Sequence, residues 1–421
     1  MIRGITVQQD QTFSTKSKVF FAATIILKLV LICLFSSGYQ DQLFVPFVLD
    51  FIEHGGNPWQ YPHVSAEAFP YPPLMLYILS LCLYPVQHLD PHSLWLNLFY
   101  GLPLLAADLL ITAILIRLFI WNKTEIFIFY FASPIILFST YMHGQLDILP
   151  TSILFLAIFL LAKRYYVWAA VIAGLAISTK FHTVAALPLM AIYLFSKGKY
   201  REMGLMITLP LLIYCGFTYP YISDGEGYQN LVMHNQKQNM IFDSFVAVGN
   251  VNIYLPILMA AIIYLRFSAY RKVNTDLLYA ATGALFSIFL LFIVPSPGWF
   301  VWMTPFFTIF FIRYFDGVQH YLLHFSLVLL YLIYYLCFHE YDFVKLYFHG
   351  IAILEDMPET RLPLGNIIYT ALQAVLMATI YLFYKNGIKS NDVYTMEQAF
   401  VLGIGGDSGA GKTTLIGYLQ S

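Results

Sequence analysis

Apolar residues run along this chain mostly in blocks of about 17 to 27, broken by short polar stretches. Blocks of that length suit helices crossing roughly 30 Å of hydrocarbon, since each helical residue advances about 1.5 Å. Windows of about 19 residues place spans at residues 19–35, 94–120, 125–141, 148–162, 165–179, 183–196, 203–219, 245–266, 276–294, 298–314, 320–338 and 365–384. The pattern predicts an all-α polytopic membrane protein of about twelve transmembrane helices. The first run follows Lys16 and Lys18, as the core of a signal peptide would, but its polar leader is long and no A-x-A site follows. It reads as a retained span.

Residues 70–86 are apolar too, yet the stretch is short and opens FPYPPL. Its role follows from the loop charges. If it lies in the interface without crossing, Arg117, Lys123, Lys163, Arg164, Lys197, Lys199, Arg201, Arg266, Arg271, Lys272, Arg313, Lys385 and Lys389 share the side of the N-terminus. Only Lys180, Lys237, Lys345 and Arg361 fall opposite. Cytoplasmic loops are the ones enriched in Lys and Arg, so both termini are expected in the cytoplasm. The acidic residues gather on the other face, from Asp41 and Asp50 through Asp147 and Asp243 to Glu359. Chemistry is therefore expected extracytoplasmically, where the segments 36–93, 220–243 and 339–364 are long.

Composition agrees with a membrane solvent: 59% of the 421 residues are hydrophobic and 11% charged, against roughly 25% charged in soluble domains. A net charge of −1 argues against a nucleic-acid partner and leaves membrane lipids as the expected surroundings. Cys33, Cys82, Cys215 and Cys337 have no paired spacing and point to neither a metal nor a disulfide.

The first external loop reads YQDQLFVPFVLDFIEHGGNPW and later FPYPPLMLYILS. Asp41 stands just past the first span, where a carboxylate can meet both a lipid-borne phosphosugar and a hydroxyl acceptor. The pair Asp41-Gln42, the HGGNPW turn with Asn57 and Pro58, and the YPPL run of Tyr71, Pro72, Pro73 and Leu74 resemble the first luminal loop of GT-C superfamily glycosyltransferases. The likeness is greatest to the polyprenol-phosphate-mannose-dependent mannosyltransferases. Further on, AADLLITAILIRLF, with Asp108 and Arg117, is similar to their second span. HGQLD, with His143, Gln145 and Asp147, is similar to a later loop, and GLAISTKFHTVAALP, with Lys180, to a motif of small residues, Lys and Pro. SPGWFVWMTP, from Ser296 to Pro305, resembles a late aromatic-and-proline motif. The resemblance extends over roughly the first 315 residues.

That resemblance implies a GT-C-like fold with a large first external loop. It also implies an inverting transfer of a hexose, mannose before others, from a polyprenyl-phosphate-linked donor to a lipid- or glycan-linked acceptor. By motif match Asp41 is the base. Members with two acids there carry D-x-D, whereas Leu43 occupies the second place here, and no cofactor is assigned to the transfer. A departing phosphate needs cations; Lys180 and His182, between two short spans, are placed to supply them, with His143, Gln145 and Asp147 as further donor contacts. Each has a plainer reading. A Lys at a span end commonly snorkels, and Asp147 equally suits a helix cap. Asp108, inside a span, suits helix packing as well as function, and Trp299, Phe300 and Trp302 read as an interfacial belt.

Beyond the last span, residues 386–397 read as a polar cytoplasmic linker, followed by FVLGIGGDSGAGKTTLIGYLQS. Gly406, Asp407, Ser408, Gly409, Ala410, Gly411, Lys412 and Thr413 fill G-x-x-x-x-G-K-[ST], with Thr414 next, a strand-like run before and a helix-like run after. Backbone amides of such a loop cradle the phosphates of ATP, Lys412 would reach the terminal ones, and Thr413 would ligand Mg²⁺. The stretch resembles the opening of the uridine kinase and phosphoribulokinase group. The expected organisation is a membrane glycosyltransferase-like unit at 1–385, the linker, and at 398–421 the first strand, P-loop and helix of an α/β P-loop NTPase. That last part would be incomplete and inactive in this chain, a fragment of a longer protein. Two alternatives remain: a multi-spanning transporter or lipid-handling protein, against which the few embedded charges, Lys28 and Asp108, argue, and, for a longer chain, a membrane-tethered uridine kinase-like phosphotransferase.

Overall fold

A computed structural model describes residues 15–61, 68–90, 93–223, 225–314, 317–338, 345–353 and 362–395. The P-loop stretch 398–421 lies outside the described residues. Among these residues the protein is a helical integral membrane protein. Six helices are long and apolar enough to cross a bilayer: Leu94–Leu118, Lys123–Met142, Tyr200–Ile222, Thr275–Phe292, Val318–Cys337 and Leu362–Thr395. Six shorter apolar helices, Pro73–Val86, Ile148–Ala162, Tyr166–Thr179, Phe181–Ser196, Leu255–Ser268 and Thr304–Arg313, accompany them, and Thr15–Leu34 precedes all. The twelve expected spans thus do not form one uniform set. A helix of 15 residues rises only about 22 Å, less than a full crossing.

Three of the short helices share one feature. Ile148–Ala162 starts directly after Asp147, Tyr166–Thr179 ends directly before Lys180, and Thr304–Arg313 follows Trp302 by two residues. The residues at these three helix ends, Asp147, Lys180 and Trp302, line a cavity inside the bundle.

Three expected elements differ in detail. Residues 245–254, expected as the start of a span, form an antiparallel hairpin, β2 (Phe245–Val248) and β3 (Val251–Tyr254). The cause is local: apolar β-branched residues alternate about a Gly249-Asn250 turn in which Gly249 has φ +60°. The span expected to begin at Gly298 opens instead with a 3₁₀ turn, Pro297–Trp302. The last helix continues through Thr395, so most of the polar 386–397 stretch is helical.

Two ends of the bundle are distinct. At one, Arg313 and Ser390 donate to Asp276, Asn391 accepts from the Asn274 amide at 2.7 Å, and Lys197 Nζ donates to the Tyr394 hydroxyl at 2.7 Å. These contacts gather the cation-bearing loops 197–201 and 266–276 against the last helix. At the other end, β1 (Phe35–Ser37) pairs antiparallel with β4 (Leu346–Phe348), and β4 with β5 (Ile351–Ala352). This small sheet fixes the chain leaving the first helix.

Within the bundle, Lys28 Nζ donates to Asp108 Oδ2 at 2.5 Å with both side chains fully buried. The Tyr141 hydroxyl donates to the same oxygen at 2.5 Å, and the ammonium lies 3.4 Å from the Phe131 ring centroid. Asp108 therefore joins three helices, the packing reading of the two weighed for it.

Candidate functional site

The HGQLD loop is held from below. Ser37 Oγ donates to the His143 carbonyl at 2.6 Å and the Tyr100 hydroxyl to the Gly144 carbonyl at 2.7 Å. Gly144 has φ +63°, and a Cβ there would collide with the Gln40 side chain. His143 is fully buried, its ring centroid 5.7 Å from that of Phe138 and 6.0 Å from that of Tyr39. Gln145 Oε1 accepts from the Gly298 amide, which docks this loop on the 3₁₀ turn. Asp147 then sits at the cap position of Ile148–Ala162, but its side chain makes no cap hydrogen bond. The capping role gives way to another.

Asp147 Oδ1 accepts from Lys180 Nζ at 2.5 Å and from Trp302 Nε1 at 2.7 Å. Charge-assisted bonds of this kind are roughly twice as strong as neutral ones. Lys180 leaves its helix in an extended conformation, φ −157° and ψ 122°, which aims it back over the loop. Its ammonium lies 5.2 Å from the Tyr71 and Trp302 ring centroids and 5.9 Å from that of Trp299, within cation–π reach. Burial, and next the charge of Asp147, hold the Tyr71 phenol well above its ordinary range, so it faces the site as a neutral hydroxyl.

Trp299 and Trp302 stack at 4.9 Å, and His182 stacks on Trp302 at 4.0 Å. Positions three apart eclipse in a 3₁₀ helix, which puts both indoles on one side of the turn. Gly298 makes that approach possible: a Cβ would stand 2.7 Å from Asp147 Oδ2 and 2.8 Å from Gln145 Cβ.

These groups line a cavity of about 280 Å³. Tyr39, Tyr71, Gln145, Asp147, Lys180, His182, Asn235, Gln238, Trp299 and Trp302 supply its polar and aromatic lining, and Phe44, Val184, Ile241, Phe289 and Ile293 an apolar one. The arrangement suits an amphiphile: a cation and amides for an anionic, hydroxylated head, and hydrocarbon for a tail.

Of the residues singled out from the sequence, Tyr71, Gln145, Asp147, Lys180 and His182 come together here. His143 packs beneath them. Asp41 lies in a π-helical turn, Tyr39–Phe44. With i to i+5 bonding, Tyr39 and Phe44 share the cavity face, their rings 5.8 Å apart. Asp41 is half-buried and is not among the residues that line the cavity, and its Oδ2 accepts from Ser36 Oγ at 2.6 Å. Gln42 is exposed and donates to the Tyr347 hydroxyl. Asn57 and Pro58 shape a turn that buries Trp59 against Tyr221 and Tyr228. Pro72 and Pro73 open the helix Pro73–Leu83. Trp299 and Trp302, expected as an interfacial belt, instead line the cavity; Pro297-Gly298 ahead of two tryptophans three apart is the legible sign. Asn235 and Gln238 carried no sequence signal. Among the described residues no group of three or more His, Cys, Asp or Glu could hold a metal ion.

Among solved structures the chain is similar to ArnT from Cupriavidus metallidurans bound to undecaprenyl phosphate, with a TM-score of 0.49 and 13% sequence identity over 90% of this chain and 78% of that one. ArnT from the same organism in the apo state gives a TM-score of 0.45 and 12% identity over 88% and 76%. No family model matches the chain, and no curated protein matches it.

Proposed function

We propose that the protein is a membrane glycosyltransferase of the GT-C type that moves a hexose, mannose before others, from a polyprenyl-phosphate-linked donor to a lipid- or glycan-linked acceptor. The observation that carries this reading is the Lys180–Asp147 pair at 2.5 Å, set in an aromatic cage on a cavity with an apolar wall. A donor phosphate competes with Asp147 for the Lys180 ammonium, the polyprenyl chain takes the wall of Ile241, Phe289 and Ile293, and the amides of Gln145, Asn235 and Gln238 take sugar hydroxyls. In the transfer, the acceptor oxygen attacks the anomeric carbon, the bond from that carbon to the phosphate oxygen breaks, and polyprenyl phosphate leaves toward Lys180. Inversion follows from single displacement. The proton of the acceptor hydroxyl passes to a carboxylate, which the motif match assigns to Asp41.

The distance between the basic end and the cavity supports the proposed sidedness. Asp276 lies at the cation-rich end and Phe289, thirteen residues on in the same helix, lines the cavity, a rise of about 20 Å. With the basic end and both termini in the cytoplasm, the cavity is extracytoplasmic. The P-loop stretch, Gly406 to Thr414, is proposed as the start of a cytoplasmic ATP- and Mg²⁺-binding unit, with Thr413 toward the metal.

The test is transfer from radiolabelled polyprenyl-phosphate-mannose by membranes carrying the chain, Asp41→Asn or Asp147→Asn. Loss with Asp41→Asn establishes it as base. Loss with Asp147→Asn alone moves the base to the cavity carboxylate. No transfer by folded wild-type protein, across several donors and acceptors, overturns the reading.

A further inference from the structure

Among the described residues, the hairpin of β2 and β3 stands outside the helical bundle with most of its apolar side chains exposed. Its register decides what each face carries. Residues directly opposite in an antiparallel pair share a face, so Val246 with Ile253 and Val248 with Val251 make one side. Phe245 with Tyr254 and Ala247 with Asn252 make the other. The first side is entirely β-branched aliphatic, and its four residues are 40 to 65% exposed. The second carries two aromatic rings, 6.3 Å apart, and an amide. No residue from Phe245 to Tyr254 is charged.

The base of the hairpin is anchored. Ser244 Oγ donates to the Phe292 carbonyl, the Leu255 amide donates to the Ser244 carbonyl at 2.9 Å, and the Phe242 ring packs on Tyr254. From Leu255 the chain enters the helix Leu255–Ser268, whose Ile257, Leu258, Ile262 and Leu265 are 42 to 70% exposed. Exposed aliphatic side chains on a short apolar helix of a membrane bundle face lipid. At 14 residues that helix rises about 21 Å, well short of the hydrocarbon thickness. The hairpin therefore joins a lipid-facing surface at a helix end that stops within or near the outer leaflet. A two-stranded ribbon cannot lie deep in hydrocarbon, because both of its edges present unpaired amides and carbonyls. In the interfacial layer those groups meet water and headgroups while one face stays in contact with acyl chains.

We propose that the hairpin lies flat in the interface of the extracytoplasmic leaflet, with Val246, Val248, Val251 and Ile253 against lipid acyl chains and Ala247 and Asn252 toward headgroups and water. The partner is the bilayer itself. Since the anchoring residue Phe292 stands beside Ile293 of the cavity wall, the hairpin is the lipid-contacting margin of that wall. Only the name of the leaflet depends on the assigned topology; the placement of the two faces does not depend on the transferase reading.

Spin labels at Val246→Cys and Val251→Cys, and at Ala247→Cys and Asn252→Cys, in full-length protein with Cys33, Cys82, Cys215 and Cys337 replaced by serine and set in phospholipid nanodiscs, test this. The expected result is collision with oxygen exceeding collision with a water-soluble nickel chelate several-fold at the first two positions, and the reverse at the other two. Nickel-dominated collision at all four puts the hairpin in water. Low collision with both reagents at Val246 and Val251 gives that face a protein partner. Either result overturns the proposal. Should the cysteine-free protein fail to fold, Val251→Trp in the native background serves. Its added emission is quenched by lipids brominated near the headgroup end of the chain if the proposal holds, and is unaffected by them if it does not.

Discussion

At the scale of single residues, the site rests on one carboxylate oxygen. Asp147 Oδ1 receives both Lys180 and Trp302, so each donor can be removed separately. Trp302→Phe keeps the stacking ring and deletes the N–H. A hydrogen bond to a charged group contributes about 1.5–3 kcal/mol, so transfer is expected to fall roughly ten- to a hundredfold, read as kcat/KM for the donor. Lys28 and Asp108 give a second residue-scale test. Removing one partner of a buried pair costs about 3–5 kcal/mol, so Lys28→Met alone should lower the unfolding temperature sharply. Adding Asp108→Leu should recover most of that loss. A double mutant no more stable than the single would contradict the pairing. The identities of Lys180, Asp147, Gln145 and His182 were legible as candidates. Their convergence was not, because 33 positions separate Lys180 from Asp147 and only the fold brings them together. Asp41 was equally legible, but its direction is set by a π-helical turn that leaves no mark in residue spacing.

At the scale of elements, two loops carry the site, and Gly298 is where they touch. Gly298→Ala forces a methyl against Asp147 Oδ2 and Gln145 Cβ, and overpacking of this kind costs about 1–3 kcal/mol. The expected outcome is a lower unfolding temperature together with lost transfer, while Gly216→Ala, whose Cβ meets nothing within 4 Å, leaves both unchanged. Unaltered transfer in Gly298→Ala would show that the two loops need not touch. Helix positions were legible in several of the long apolar blocks, as in Leu94–Leu118 and Tyr200–Ile222. Hydropathy averaged over a window cannot separate a 14-residue helix preceded by a hairpin from one long helix. Residues 245–266 were therefore read as continuous although FVAV-GN-VNIY alternates as strands do.

At the scale of the fold, the cation-rich contacts and the cavity lie at different ends of the described bundle. Lys197 meets Tyr394 and Asn274 meets Ser390 at the cation-rich end, while Phe289 and Ile293 line the cavity. This predicts that Lys199→Cys reacts with a membrane-impermeant thiol reagent only from the cytoplasmic face and Ser223→Cys only from the opposite one, each compared with the wild-type background of Cys215 and Cys337. Labelling of both from one side would overturn the assigned topology. The overall class was legible because the solvent dictates it: long apolar blocks exclude a water-soluble fold, whatever the loops do. The proposed use of a polyprenyl phosphosugar in this cavity is tested most directly by hexose transfer from the labelled donor by purified protein in nanodiscs, followed together with release of polyprenyl phosphate. The expected result is one polyprenyl phosphate freed per sugar transferred, an inverted anomeric centre in the product, and loss of both signals in Lys180→Met. Equal transfer by Lys180→Met and wild type would contradict it.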